Sequence, residues 1–192
     1  MILCRYRSGC LAHSSGLLEI LNTGAELNRY YLIDTNVLLT ASDMATHLSP
    51  RQVTTVRGWL SEFQQNPDAF LLLDSEGAPM ISKTRIIEEY QRRMPKTAFG
   101  WQVIKSKLNA QKYRCYKIAY EGTPPHETAV LPPTLTRRWT DPSDRKFVAV
   151  ALEQIREYPR QRCAIVNATD TDWANCASIL RQHFIEVRQL LA

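Results

Sequence analysis

Short apolar runs alternate with amphipathic helical segments along this chain, and this alternation constrains the fold more than any other feature. The apolar runs lie at 31–33, 69–73 and 163–166, and segments with apolar residues at helical spacing separate them. Parallel strands joined by helices produce this pattern, because each crossover between parallel neighbours needs a long connection. The sequence therefore predicts an α/β fold with a central parallel sheet and helices on both faces. The length of 192 residues suits one sizeable core, which we expect over 29–192 after an extension at 1–28.

The first apolar run ends on a carboxylate. In YLIDTN, residues 31–36, Asp34 directly follows the apolar residues and Asn36 comes two positions later. Open parallel sheets bind ligands at the carboxyl ends of their strands, which makes Asp34 a candidate site residue. The alternative is a strand that ends in a turn, with both residues acting as turn formers or helix caps.

A second candidate acid lies on a helix that we expect to be capped by Ser82, to run through Met94 and to end at Pro95. Glu89 flanks the buried face of this helix, whereas Glu88 points to water, because successive residues differ by about 100° around the axis. The buried face is defined by Ile86, Ile87, Tyr90 and Met94.

A third candidate acid opens the helix predicted for DPSDRKFVAVALEQI. Asp141 is a good N-cap and Pro142 a good first helical residue, so Asp144 falls in the first turn. It lies on the core-facing stripe formed by Phe147, Val148, Ala151 and Ile155. A favourable interaction with the helix dipole would explain an acid in this turn but not its side. Between these two helices, 122–142 contains five prolines and is predicted to be a long irregular loop.

The last candidate acids follow the apolar strand in CAIVNATDTDW. Asn167 ends this strand, and Asp170 and Asp172 come after it. Asp34, Glu89, Asp144 and Asp170 would therefore converge on one rim of the sheet. Several carboxylates close together cannot all stay ionised unless cations lie among them, and oxygen ligands suit Mg²⁺ or Mn²⁺.

A basic segment lies between these acids. Residues 83–117 contain ten Lys or Arg against two acids, so the segment carries a charge of +8 within a chain of net charge +5. Tyrosine, phenylalanine and tryptophan are interleaved with the cations, as on a surface that tracks phosphates and stacks bases. A solvated helical face with core aromatics is the alternative. The candidate RNA-binding residues are Arg92, Arg93, Lys105 and Lys107.

Taken in order, IDTNVLL, the helix with EEY, DPSDRKFVAVAL and IVNATDTDW resemble the acidic motifs of PIN-domain ribonucleases, including bacterial toxin-type members. The resemblance covers about 30–190 and implies a three-layer α/β/α sandwich, a Mg²⁺ or Mn²⁺ site and cleavage of RNA. Asp34, Glu89, Asp144 and Asp170 match the four acids in turn.

The resemblance also implies supporting residues. Asn36 matches the small polar residue that supports the first acid, and Asn167 is assigned a supporting role at the last strand. The segment from Asn167 to Asp170 is one residue longer than the usual family pattern. Whether Asp170 or Asp172 reaches the metal therefore stays open, and both are candidate metal ligands.

Other readings of the acidic motifs are weaker. Haloacid dehalogenase phosphatases need a second acid where this chain has Asn36, and a dinucleotide-binding fold needs a glycine-rich turn after its first strand. The rival that remains is a PIN-like module that binds RNA or protein without cutting. Retained carboxylates argue against it, because without metal they would repel each other and the RNA. A metal-dependent endoribonuclease is thus the predicted function, and a toxin, a processing enzyme and a defence nuclease all fit.

Partners and compartment follow from the same reasoning. We expect an RNA substrate and, for a toxin-type member, a small antitoxin-like protein; a homodimer is a further alternative. Five cysteines at irregular spacing, without a CxxC pair, indicate neither a disulfide framework nor a zinc site. No run approaches the roughly 20 apolar residues of a membrane span, and charge occupies the place of a signal-peptide core. We therefore expect a cytoplasmic protein.

Overall fold

The computed structural model describes residues 30–75, 84–123, 126–137 and 141–191. The strands in these ranges are β1 (Tyr30–Ile33), β2 (Phe70–Ser75), β3 (Tyr113–Lys117), β4 (Tyr120–Glu121), β5 (Thr128–Ala129), β6 (Cys163–Asn167) and β7 (Ile185–Gln189). The helices are α1 (Thr35–Ala41), α2 (Pro50–Gln65), α3 (Arg85–Arg93), α4 (Phe99–Asn109), α5 (Pro133–Thr136), α6 (Arg145–Glu157) and α7 (Thr171–Gln182), and a 3-10 turn (Pro142–Asp144) precedes α6. The predicted extension at 1–28 lies outside the described residues.

Five parallel strands form the central sheet in the order β3-β2-β1-β6-β7, and β4 and β5 form a small antiparallel pair. The predicted α/β fold with a parallel sheet is therefore confirmed, and β3 and β7 form the edges of the sheet. The central strands β1 and β6 are buried along their whole length. This explains their unbroken apolar sequences, because a parallel strand covered on both faces has no solvent side.

The strand order creates a crevice beside β1. From β1 the chain builds β2 and β3 on one side, then crosses back to place β6 and β7 on the other. Neighbouring strands whose connections leave in opposite directions mark a topological switch point, where their carboxyl ends leave room for a ligand. Here that point lies between β1 and β6, paired in register with Ile33 opposite Val166.

Helix α3 starts later than predicted. Its N-cap is Thr84, whose side-chain oxygen accepts from the Ile87 N–H at 3.1 Å, and the helix begins at Arg85. The expected cap, Ser82, lies outside the described residues. The helix start is also held by the buried Asp74 at the end of β2, which accepts from the backbone N–H groups of Arg85 (2.8 Å) and Ile86 (3.0 Å). Asp74 therefore ties α3 to the sheet.

Helices α1 and α4 approach closely at a glycine. A Cβ atom at Gly100 would lie 2.6 Å from the carbonyl oxygen of Leu38, so only glycine allows this contact. The Gly100 N–H donates to the side chain of Ser42 at 2.8 Å, which joins the two helices further.

The described part of 122–142, which comprises 122–123, 126–137 and 141–142, is more regular than the predicted loop, because β5 and α5 lie within it. Its Ala129, Leu131 and Leu135 are buried against the core, which accounts for the regular structure of this segment. Among the described residues, no helix is both long and apolar enough to cross a membrane.

Candidate metal centre

Asp34 leaves the end of β1 at the switch point. Its backbone N–H donates to the Val166 carbonyl at 2.9 Å, which continues the β1–β6 pairing to the site. The side chain caps α1 by accepting from the Asn36 N–H at 2.9 Å. The prediction that Asp34 acts as a helix cap is therefore confirmed. The other carboxylate oxygen accepts from the indole N–H of Trp173, which is fully buried. Asp34 is therefore held at both oxygens in one orientation.

Asn36 and Asn167 connect the two strand ends. The Asn36 amide donates to Asn167 Oδ1 at 2.8 Å and accepts from the Ala168 N–H at 2.9 Å. Asn167 Oδ1 also accepts from the Asp170 N–H at 3.0 Å. This network fixes the turn that carries Asp170, which is consistent with the supporting roles predicted for both asparagines.

Asp144 enters from the start of α6. Asp141 caps the preceding 3-10 turn by accepting from the Ser143 N–H at 2.7 Å, whereas the Asp144 side chain makes no capping hydrogen bond to α6. Asp144 is only 8% exposed. Capping by its side chain therefore does not explain this buried acid.

Three aspartates meet at this point. Asp34, Asp144 and Asp170 can each offer a carboxylate oxygen, and these oxygens all lie within 4.8 Å of one another. Asp172 is not in this group; its N–H donates to Asp170 Oδ1 at 2.8 Å in the first turn of α7. The geometry therefore favours Asp170 over Asp172 as the fourth candidate acid.

The site is electrostatically crowded. Burial, opposed by the Asn36 and Trp173 hydrogen bonds and reinforced by the charges of Asp170 and Glu89, raises the pKa of Asp34 to about 6. Burial and the charge of Asp34 raise the pKa of Asp144 to about 8. Buried acids that are destabilised by one another gain most from a nearby cation, and hard oxygen ligands suit Mg²⁺ or Mn²⁺. The residues therefore fit such an ion.

Glu89 lies beside the aspartates but outside their group. The next residue, Tyr90, donates its hydroxyl to the Ile33 carbonyl, which holds α3 against the end of β1. The predicted orientations are confirmed, because the Glu89 side chain is 14% exposed and that of Glu88 is 48% exposed. Glu89 accepts from the Thr35 hydroxyl at 2.5 Å and forms an ion pair with Lys146.

A groove of about 360 Å³ is lined by Glu89, whereas the three aspartates are not among its lining residues. It runs between α3, the β4–β5 pair and the start of α6, and its walls include Glu89, Arg92, Tyr120, Ser143 and Lys146. Of the four candidate RNA-binding residues, Arg92 lines this groove. Arg93 and Lys105 are exposed but are not among the lining residues.

The structure corrects the prediction for Lys107. This side chain is 2% exposed, and its ammonium donates to the carbonyls of Asn66 (2.8 Å) and Ala69 (3.0 Å). Burial lowers the pKa of Lys107 to about 8. Lys107 thus joins the α2–β2 connection to α4 and cannot contact a phosphate at the surface.

Sequence reasoning missed three residues of this region. Asp74 ends an apolar run just as Asp34 does, so the same pattern could have identified it. Trp173 and Lys146 had no such signal, because their partners Asp34 and Glu89 are distant in sequence.

Comparisons with protein-family models, with curated proteins and with solved structures find no match for this chain.

Proposed function

We propose that this protein is a metal-dependent endoribonuclease of the PIN-like type. The observation that carries the proposal is the group of three aspartates from three separate elements, with oxygens within 4.8 Å, at the carboxyl-end crevice of a parallel sheet. Right-handed crossovers would place α1 to α4 on one face of the sheet and α6 and α7 on the other, which is the three-layer arrangement the PIN resemblance implies.

In this proposal, Asp34, Asp144 and Asp170 hold Mg²⁺ or Mn²⁺. When bound, the ion supplies Lewis acidity for hydrolysis of a phosphodiester. The chain itself orients the ligands: Trp173 and the Asn36 N–H hold the Asp34 carboxylate, and the asparagine network holds the turn of Asp170.

Exposed cations support an anionic substrate. Arg92 lines the groove, and Arg93 and Lys105 are exposed on α3 and α4. Cations on a surface next to buried acids attract a phosphate backbone without reading its sequence. RNA is the substrate class that we propose.

The test is cleavage of a labelled single-stranded RNA by purified protein in EDTA, Mg²⁺ or Mn²⁺. We expect no cleavage in EDTA, cleavage with either metal, and loss of cleavage in Asp144→Asn with RNA binding retained. Glu62→Gln is the matched control, because this exposed carboxylate lies on α2 and is not among the residues that line the groove. Cleavage that persists in EDTA would refute the mechanism. RNA binding without cleavage under any metal would instead support the alternative, a PIN-like module that binds RNA without cutting it.

The basic surface has its own measurement. Replacing Arg92, Arg93 and Lys105 together with Gln should weaken RNA binding for every sequence. The slope of log affinity against log salt concentration should fall by the equivalent of about one to three phosphate contacts. Unchanged affinity and salt slope would instead assign these charges to an ordinary solvated face.

A further inference from the structure

Glu89 is occupied on both of its carboxylate oxygens. Oε1 accepts from the Thr35 hydroxyl at 2.5 Å, and Oε2 lies 2.6 Å from the ammonium of Lys146. The three aspartates that approach within 4.8 Å do not include it. Of the four acids expected to act together, Glu89 is thus the one with an ion pair among the described residues, although the Lys146 charge also acts on Asp144.

Lys146 is built into the site. It is 7% exposed, donates to the Ser143 carbonyl and lies with its ammonium 4.8 Å from the centre of the Phe147 ring. Lysine is almost never this buried unless it is paired, because its charge loses hydration. The Glu89 carboxylate is the acid paired with Lys146 among the described ion pairs, so the two residues depend on each other.

Charge balance gives this pair a consequence for metal binding. The three aspartates and Glu89 carry up to four negative charges, and Lys146 supplies one positive charge. One divalent ion among the aspartates brings the positive total to three. A second ion bound through Glu89 would have to take the place of the ammonium or lie beside it, where like charges repel strongly at low dielectric.

We propose that Lys146 is a positioning residue that keeps Glu89 out of the metal-binding set, so that each chain holds a single divalent ion on Asp34, Asp144 and Asp170. The inference rests on the proposed function, since it assumes that the aspartates bind metal. Glu89 then acts through Thr35 and Lys146, bracing the start of α1 against the start of α6, rather than as a metal ligand.

Calorimetric titration of MnCl₂ into metal-free protein tests this assignment. Wild type should bind one Mn²⁺ per chain. Glu89→Gln should also bind one, with affinity lowered by no more than the roughly 10- to 100-fold typical of an outer partner, whereas Asp144→Asn should lose more than about 100-fold, as expected for a direct ligand. Glu88→Gln is the control and should match wild type.

A second set of variants tests Lys146 directly. Lys146→Met keeps the apolar stem against Phe147 but leaves Glu89 without its cation, and it should bind two Mn²⁺ per chain. Adding Glu89→Gln to that variant should return the number to one. A purely structural lysine would change stability without changing the number of ions.

The outcomes are distinct. Two ions on wild type, an Asp144-like loss of affinity in Glu89→Gln, or a single ion on folded Lys146→Met would each overturn this inference and leave the metal site intact. No Mn²⁺ bound by wild type would overturn the proposed function together with it. If Lys146→Met does not fold, as judged by circular dichroism, wild type still shows whether one or two ions bind. Glu89→Gln then shows whether Glu89 is a metal ligand or only braces α1 against α6.

Discussion

Replacing Asp144 with Asn separates a crowded acidic site from a charge that only stabilises a helix start, because the two roles change stability in opposite directions. Asn is nearly the same size as Asp but carries no charge. The Asp144 side chain makes no capping hydrogen bond to α6, and Asp141 caps the turn before it. The substitution should therefore remove repulsion without removing a cap, and metal-free protein should become more stable.

The magnitude follows from the raised pKa of Asp144. Its carboxyl group has a pKa of about 8 in the folded chain, against its ordinary value of 3.8 in the unfolded chain. Between these values the unfolded chain has released a proton that the folded chain retains, so stability falls as pH rises from about 4 to about 8, by about 1.4 kcal/mol per unit. At pH 7.5 the upper limit is about 5 kcal/mol. Burying the Asn amide offsets part of this, and we expect a net gain of about 2 to 4 kcal/mol.

Thermal melts followed by circular dichroism in EDTA measure the effect. For a chain of this size, we expect the melting temperature of Asp144→Asn to exceed that of wild type by about 5 to 15 °C at pH 7.5, and by much less at pH 5. With Mn²⁺ at pH 7.5, wild type should instead have the higher melting temperature, because the ion stabilises only a protein that can bind it. Glu88→Gln should match wild type throughout.

The reasoning is refuted if Asp144→Asn lowers the melting temperature at both pH values. A loss of up to about 1 kcal/mol at both pH values is what the lost charge at a helix start produces, because Asn caps a helix as well as Asp but cannot interact as a charge with the helix dipole. In that case Asp144 would be a structural residue, and the three aspartates would not form a mutually destabilised group.

Three further predictions concern residues around the site. Lys107→Met should cost about 1 to 3 kcal/mol by leaving two backbone carbonyls without a donor, while RNA binding keeps its salt slope. Trp173→Phe should weaken Mn²⁺ binding more at pH 6 than at pH 8 in calorimetry, because loss of the indole N–H raises the pKa of Asp34 further. Gly100→Ala should destabilise the fold in denaturant titrations, whereas Gly58→Ala, with open space around it, should stabilise α2 by up to about 1 kcal/mol.

Local patterns were enough to predict β1, β2 and β6 and the positions of the acids along the chain. An apolar run that ends on Asp34, and a core-facing stripe that includes Asp144, are properties of short segments, so periodicity reveals them without a fold. The same method placed Glu88 in water and Glu89 at the edge of the core, as the structure has them. It was also capable of finding the burial of Lys107, which lies four residues after Val103 on the stripe that α4 buries.

The sequence by itself determined the α/β class, the parallel sheet and the order of the acids along the chain, because these depend on contacts and periodicities of a few residues. Only the tertiary structure decided which acids meet. The strand order puts Asp34 beside β6, so Asn36 can reach Asn167 across 131 positions and Trp173 can reach Asp34 across 139. The partner of Glu89 was likewise settled by packing, since α3 and α6 meet only in the folded chain. Side-chain pairs of this kind depend on which strand lies next to which, and no local pattern records that.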